Sequence, residues 1–77
     1  MKDLILTITR AMVDHPEQVS VSEIMGDRMS VFELSVARED LGKVIGRQGQ
    51  NAEAIRTILN AASNRKRRRS VLEIIDR

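Results

Sequence analysis

The sequence predicts an α+β domain of order α-β-β-α-α-β: a three-stranded mixed sheet with three helices packed on one face. Three observations carry that prediction. Apolar residues recur at steps of three and four in three segments and alternate with polar ones in the rest. The fourth and fifth elements are both helical and are separated only by a glycine-bounded turn, Gly46-Arg47-Gln48-Gly49. The last strand follows those helices, so it returns by a crossover, which favours parallel pairing with the second strand. The first two strands, joined by a short turn, form an antiparallel hairpin.

Leu4, Ile5, Ile8, Ala11 and Met12 mark one face of a first helix. It should stop near Asp14 and His15, because Pro16 disfavours the α region in the residue before it. Val19 to Ile24 alternates roughly and holds two valines and an isoleucine, giving a short strand. Gly26-Asp27-Arg28 is turn chemistry. From Met29 to Ala37, Phe32, Leu34 and Val36 face one way and Val31, Glu33 and Ser35 the other, as in a half-buried strand. Leu41, Val44 and Ile45 share one side of a short helix. Ala52, Ile55, Ile58, Leu59 and Ala62 mark a longer one that ends near Asn64. Val71 to Ile75 supplies the last strand. A chain of 77 residues has room for one small core, so residues 1–77 read as a single domain.

The stretch from Leu41 to Ala52 holds three of the four glycines. Glycine suits the turn because it accepts positive φ and leaves no Cβ to block a close backbone approach. The turn feeds the N-terminus of the longer helix, where free N–H groups and the helix dipole favour a phosphate. Arg47 adds a charge-assisted donor and Gln48 a polar one, with Lys43 and Gln50 close in sequence. Ile45 and Ala52 could line a shallow apolar groove for bases, or simply pack between helices. Gly46 and Gly49 would equally serve as a helix cap and a tight turn.

Ile45-Gly46-Arg47-Gln48-Gly49 resembles the Ile-Gly-x-x-Gly signature of KH domains, whose GxxG loop clamps about four nucleotides of single-stranded nucleic acid. The longer run from Leu41 to Gly49, continued by Ala54-Ile55-Arg56-Thr57-Ile58, closely resembles the small stand-alone bacterial KH proteins of the KhpA family. The likeness extends to Ala11-Met12-Val13-Asp14 and Leu72-Glu73-Ile74-Ile75-Asp76, and so covers essentially the whole chain. The resemblance implies a type II KH domain and a single-stranded RNA-binding protein, a post-transcriptional regulator or RNA chaperone. It further implies homodimers, pairing with a larger KH protein of the KhpB or Jag type, and links to cell shape. Asn51 departs from the family, whose members often carry an aliphatic residue there, and a polar side chain there would weaken a helix-mediated dimer.

Charge is distributed unevenly along the chain. Residues 1–40 carry a balance of −4, residues 41–69 a balance of +7, and the whole chain +2. A basic half around a glycine loop is the electrostatic footprint expected of a nucleic-acid binder. The run Arg65-Lys66-Arg67-Arg68-Arg69 would give non-specific phosphate attraction, although cations at a helix C-terminus are also favourable by themselves.

Several function classes lack their parts. Cysteine is absent, and His15 has no second histidine with which to build a metal or nucleophile site. Val44 follows Lys43 where a phosphate-binding P-loop needs Ser or Thr. Phe32, the one aromatic, lies on an apolar strand face and reads as core, which argues against sheets that stack bases on aromatics. No apolar run approaches a membrane span, and the first residues do not read as a signal peptide. The expectation is a cytoplasmic non-enzyme without cofactor, metal or small-molecule substrate. A second reading is a protein-interaction module with little RNA affinity, because so small a domain is marginal alone and Ala54, Ile58 and Ala61 spread apolar surface around the longer helix.

Overall fold

The computed structural model describes residues 1–65 and 67–76. Six elements follow the expected order: α1 (Lys2–Met12), β1 (Ser20–Met25), β2 (Met29–Val36), α2 (Leu41–Ile45), α3 (Gln50–Asn64) and β3 (Arg69–Asp76). Single 3-10 turns at Pro16–Gln18, Arg38–Asp40 and Arg47–Gly49 link them. The sheet order is β1-β2-β3, with β1 antiparallel to β2 and β3 parallel to it. Type II KH domains have this arrangement.

Alternation in β2 sets the two sides of the sheet. Phe32, Leu34 and Val36 are buried toward the helices, where they meet Val21 and Leu72 from the flanking strands. Ile5 from α1, Val44 from α2, and Ile55 and Leu59 from α3 close the core over them. Phe32 is a core residue, as its strand face requires. The opposite side of the sheet stays open, with Ile24, Met29 and Ile75 exposed.

The α1–β1 connection is held by a charge buried beside α2. Asp40 is 1% exposed, and its two carboxylate oxygens accept the backbone amides of Asp14 (3.1 Å) and His15 (2.9 Å). Helix α1 therefore ends at Met12 not only because Pro16 lies ahead but because the next amides are claimed by a carboxylate. Lys43 of α2 reinforces the join through an ion pair with Asp14. Hydrogen bonds to a charged partner contribute about 1.5–3 kcal/mol each. Asp40→Ala, which strands both amides, should cost on the order of 3 kcal/mol and lower the melting temperature by roughly 10–20 °C in a thermal unfolding scan.

Candidate nucleic-acid interface

The reversal between α2 and α3 is built from backbone conformations that most side chains avoid. Gly46 has φ 76° and ψ 177°, Gln48 φ 55° and ψ 28°, and Gly49 φ 75° and ψ 12°. Gly46 ends α2, its amide donating to the Gly42 carbonyl at 2.9 Å, and Gly49 leads into α3. Between them Arg47 and Gln48 are exposed. Both residues stand just ahead of α3, beside the positive end of its dipole and the open amides of its first turn.

Asn51 braces this loop. Its Nδ2 donates to the Lys43 carbonyl at 2.8 Å, which satisfies one of the open carbonyls at the end of α2. A Cβ on Gly46 would lie 2.6 Å from the Asn51 Cγ, so the glycine and the asparagine occupy one another's space. The polar residue at 51 thus has an intramolecular partner and a local role.

The other sequence-designated residues divide sharply. Ile45 is 38% exposed beside the loop, whereas Ala52 is buried at 3% and presents no surface to a base; it belongs to the packing of α3 on the core. Gln50 is exposed at the first position of α3. Lys43 is exposed but paired with Asp14. Its hydrogen bond holds the Asp14 carboxyl below the ordinary value and raises the Lys43 ammonium above its own. The Arg47 guanidinium makes no hydrogen bond or ion pair among the described residues, although the Arg47 carbonyl accepts the Gln50 amide.

The basic run does not surround the loop. It lies at the far end of α3, whose fifteen residues, with a rise of about 1.5 Å between successive ones, carry it roughly 21 Å away. Within it, Arg65, Arg67 and Arg69 are exposed and Lys66 lies outside the described residues. Arg68 is different. Its guanidinium donates to the carbonyls of Gly26 (2.9 Å), Asp27 (3.2 Å) and Met29 (3.2 Å) and to the Ser30 hydroxyl (3.1 Å). It clamps the β1–β2 turn and is structural, not a free phosphate ligand. Two arginines that the sequence reading did not assign to the site also acquire positions. Arg28 sits in that turn, its carbonyl accepting the Arg69 amide at 2.9 Å. Arg56 of α3 bonds Glu53 (3.1 Å) and the Leu72 carbonyl (3.4 Å) on β3. Only the parallel register brings Arg28 beside Arg69, so no local pattern in the sequence could have paired them.

The conformations at 46 and 49 predict unequal costs for the same substitution. Gly49→Ala meets no atom within 4 Å and should cost only the left-handed penalty, about 1–2 kcal/mol. Gly46→Ala adds displacement of Asn51 to backbone strain and should cost more, up to about 3 kcal/mol. Denaturant unfolding of the two single variants measures the difference.

The family model described as KhpA/KhpB, KH domain, matches residues 2–74. The RNA-binding protein KhpA of Clostridium acetobutylicum is 51% identical over 75 residues, covering 97% of this chain and all of the relative. That of Caldanaerobacter subterraneus subsp. tengcongensis is 49% identical over the same shares, and that of Treponema pallidum 45% over 97% and 94%. No solved structure gives a significant match. A full-length match of this kind, on a chain with the sheet order and glycine loop described above, places the chain in the KhpA/KhpB family of KH domains.

Proposed function

We propose that the chain binds single-stranded RNA, with the Gly46–Gly49 loop holding the phosphate backbone, and serves as a post-transcriptional regulator or RNA chaperone in the cytoplasm. The observation that carries this reading is the exposed Arg47-Gln48 tip, left bare by three positive-φ residues at the N-terminal end of α3. Relatives at 41–51% identity are named RNA-binding proteins. A phosphate at the tip would receive backbone N–H groups and the helix dipole, which favour an anion there. Arg47 brings an unpaired cation to it. Half-exposed Ile45 offers an apolar rest for a base beside the loop. Lys43 starts from its pair with Asp14, so its turning to a phosphate releases a carboxylate and gains less than a free cation would. Catalysis has no part in this reading.

Replacing both tip residues by aspartate separates folding from binding. Both side chains are exposed, and aspartate tolerates the left-handed conformation at 48 better than most residues. Stability should therefore stay within about ±0.5 kcal/mol. Titration with single-stranded RNA should show affinity falling by roughly two orders of magnitude, because two carboxylates replace the donor at the phosphate position. A folded double variant that binds RNA as well as the parent would sink the loop reading.

A second role, association through α3, is favoured by one observation. Ile58 is 45% exposed, and Ala54 and Ala61 are exposed with it at spacings of four and three, which aligns them on one side of the helix. This stripe would serve a homodimer or a complex with a larger KH protein of the KhpB type. Ile58→Asp should lower the association constant at least tenfold in sedimentation equilibrium, with the monomer's melting unchanged. A parent chain that stays monomeric at every accessible concentration would exclude the homodimer.

A further inference from the structure

We infer that Arg28, Arg65, Arg67 and Arg69 form a second phosphate-binding footprint, at the pole opposite the glycine loop, which holds RNA backbone running beyond the nucleotides in that loop. The inference rests on the loop reading above and extends it to longer RNA. Four elements of the fold converge at this pole: the β1–β2 turn, the end of α3, the α3–β3 turn and the start of β3. Pairing of Met29 with Arg69, and the 2.9 Å bond from the Arg69 amide to the Arg28 carbonyl, lock the β1–β2 turn against β3. The amides of Arg67 and Arg68 return to the carbonyls of Asn64 and Ser63, each at 3.2 Å, which folds the α3–β3 turn onto the same end.

Arg68 makes the arrangement possible. Its four bonds to the β1–β2 turn fix the backbone on which the neighbouring arginines stand. The four guanidiniums left over are all exposed, and among the described residues none makes a hydrogen bond or ion pair. Asp27 is the carboxylate of the adjoining turn, so the set keeps a clear positive excess. A favourable helix end accounts for Arg65 but not for Arg28 or Arg69, which lie on a turn and a strand and gain nothing from the α3 dipole. Unpaired like charges gathered at one end of the fold repel one another, and a polyanion relieves that repulsion.

Separation gives the pole its specific role. The loop clamps about four nucleotides, and the pole lies roughly 21 Å along α3 from it. A short strand can fill one footprint; a longer one can engage both and gain from the second contact being intramolecular.

The test uses the full chain, with unstructured single-stranded RNA of about five and about twenty nucleotides, each titrated at two salt concentrations. The parent should bind the longer strand at least roughly tenfold more tightly, with a salt slope steeper by about 0.7 for each added phosphate contact. Changing Arg28, Arg65, Arg67 and Arg69 to Gln, with melting checked and Arg68 kept, should reduce the longer strand to the affinity and slope of the short one. Binding of the short strand should not change. Unaltered binding of the longer strand by this variant overturns the second footprint while leaving the loop reading intact. Equal weakening of both strands also overturns it, since the arginines would then act at a single site. Loss of short-strand binding only in the Arg47→Asp, Gln48→Asp variant supports the division into two footprints. A parent that binds neither strand, but co-floats with vesicles containing anionic phospholipid, overturns both readings.

Discussion

Parallel pairing of β3 with β2 is the constraint from which the functional geometry follows. Met29 to Val36 pair in order with Arg69 to Asp76, so the chain leaves one end of the sheet and must re-enter at the other. Eight strand residues span roughly 23 Å at 3.3 Å per residue, and α3 spans roughly 21 Å, so α3 alone makes the return journey. The preceding helix has only to turn the chain over, and five residues suffice. The reversal between two helices must then be tight, which explains the positive φ at Gly46, Gln48 and Gly49. The same return leaves the glycine loop where β2 ends and the arginine turn where β2 begins.

Charge in this domain is better described by its partners than by its sum. Lys43, Arg56 and Arg68 are engaged with Asp14, with Glu53 and the Leu72 carbonyl, and with the β1–β2 turn. They support the scaffold. Arg47 at one pole and Arg28, Arg65, Arg67 and Arg69 at the other are unengaged among the described residues. A basic stretch in the sequence thus separates into cations that hold the fold and cations open to a ligand, and adjacent residues such as Arg68 and Arg69 fall on different sides of that division.

Much of the fold was legible because local periodicity and long-range packing agree. Alternation in β2 identified Phe32, Leu34 and Val36 as core, and the crossover argument identified the parallel pair. The glycine spacing located the loop, since no other residue type sits readily at Gly46. Periodicity was less informative within α3, where Ile58 is exposed and Ser63 buried. Its buried line runs through Ala52, Ile55, Leu59 and Ser63, and where that line falls depends on the direction in which α3 crosses the sheet. Partners distant in sequence stayed hidden. The bond from Asn51 to the Lys43 carbonyl, the Asp40 carboxylate on the amides of Asp14 and His15, and the proximity of Arg28 to Arg69 all depend on tertiary placement.

The order of the strands has a kinetic side. β2 is the central strand, and its hairpin partner is adjacent in sequence, but each of its residues from Met29 on pairs in β3 with one forty positions later, beginning at Arg69. Closing so long a loop costs entropy before any contact across it contributes, and domains dominated by such pairings fold slowly. During synthesis the ribosome makes β1, β2 and all three helices before the strand that completes the sheet. Until then the β3-side edge of β2, with the hydrophobic face around Phe32 and Leu34, lacks its cover from Leu72 and is open to pairing with other chains. Residues 69–76 therefore decide when the nascent chain stops being a hazard to its neighbours, as well as the stability of the finished domain.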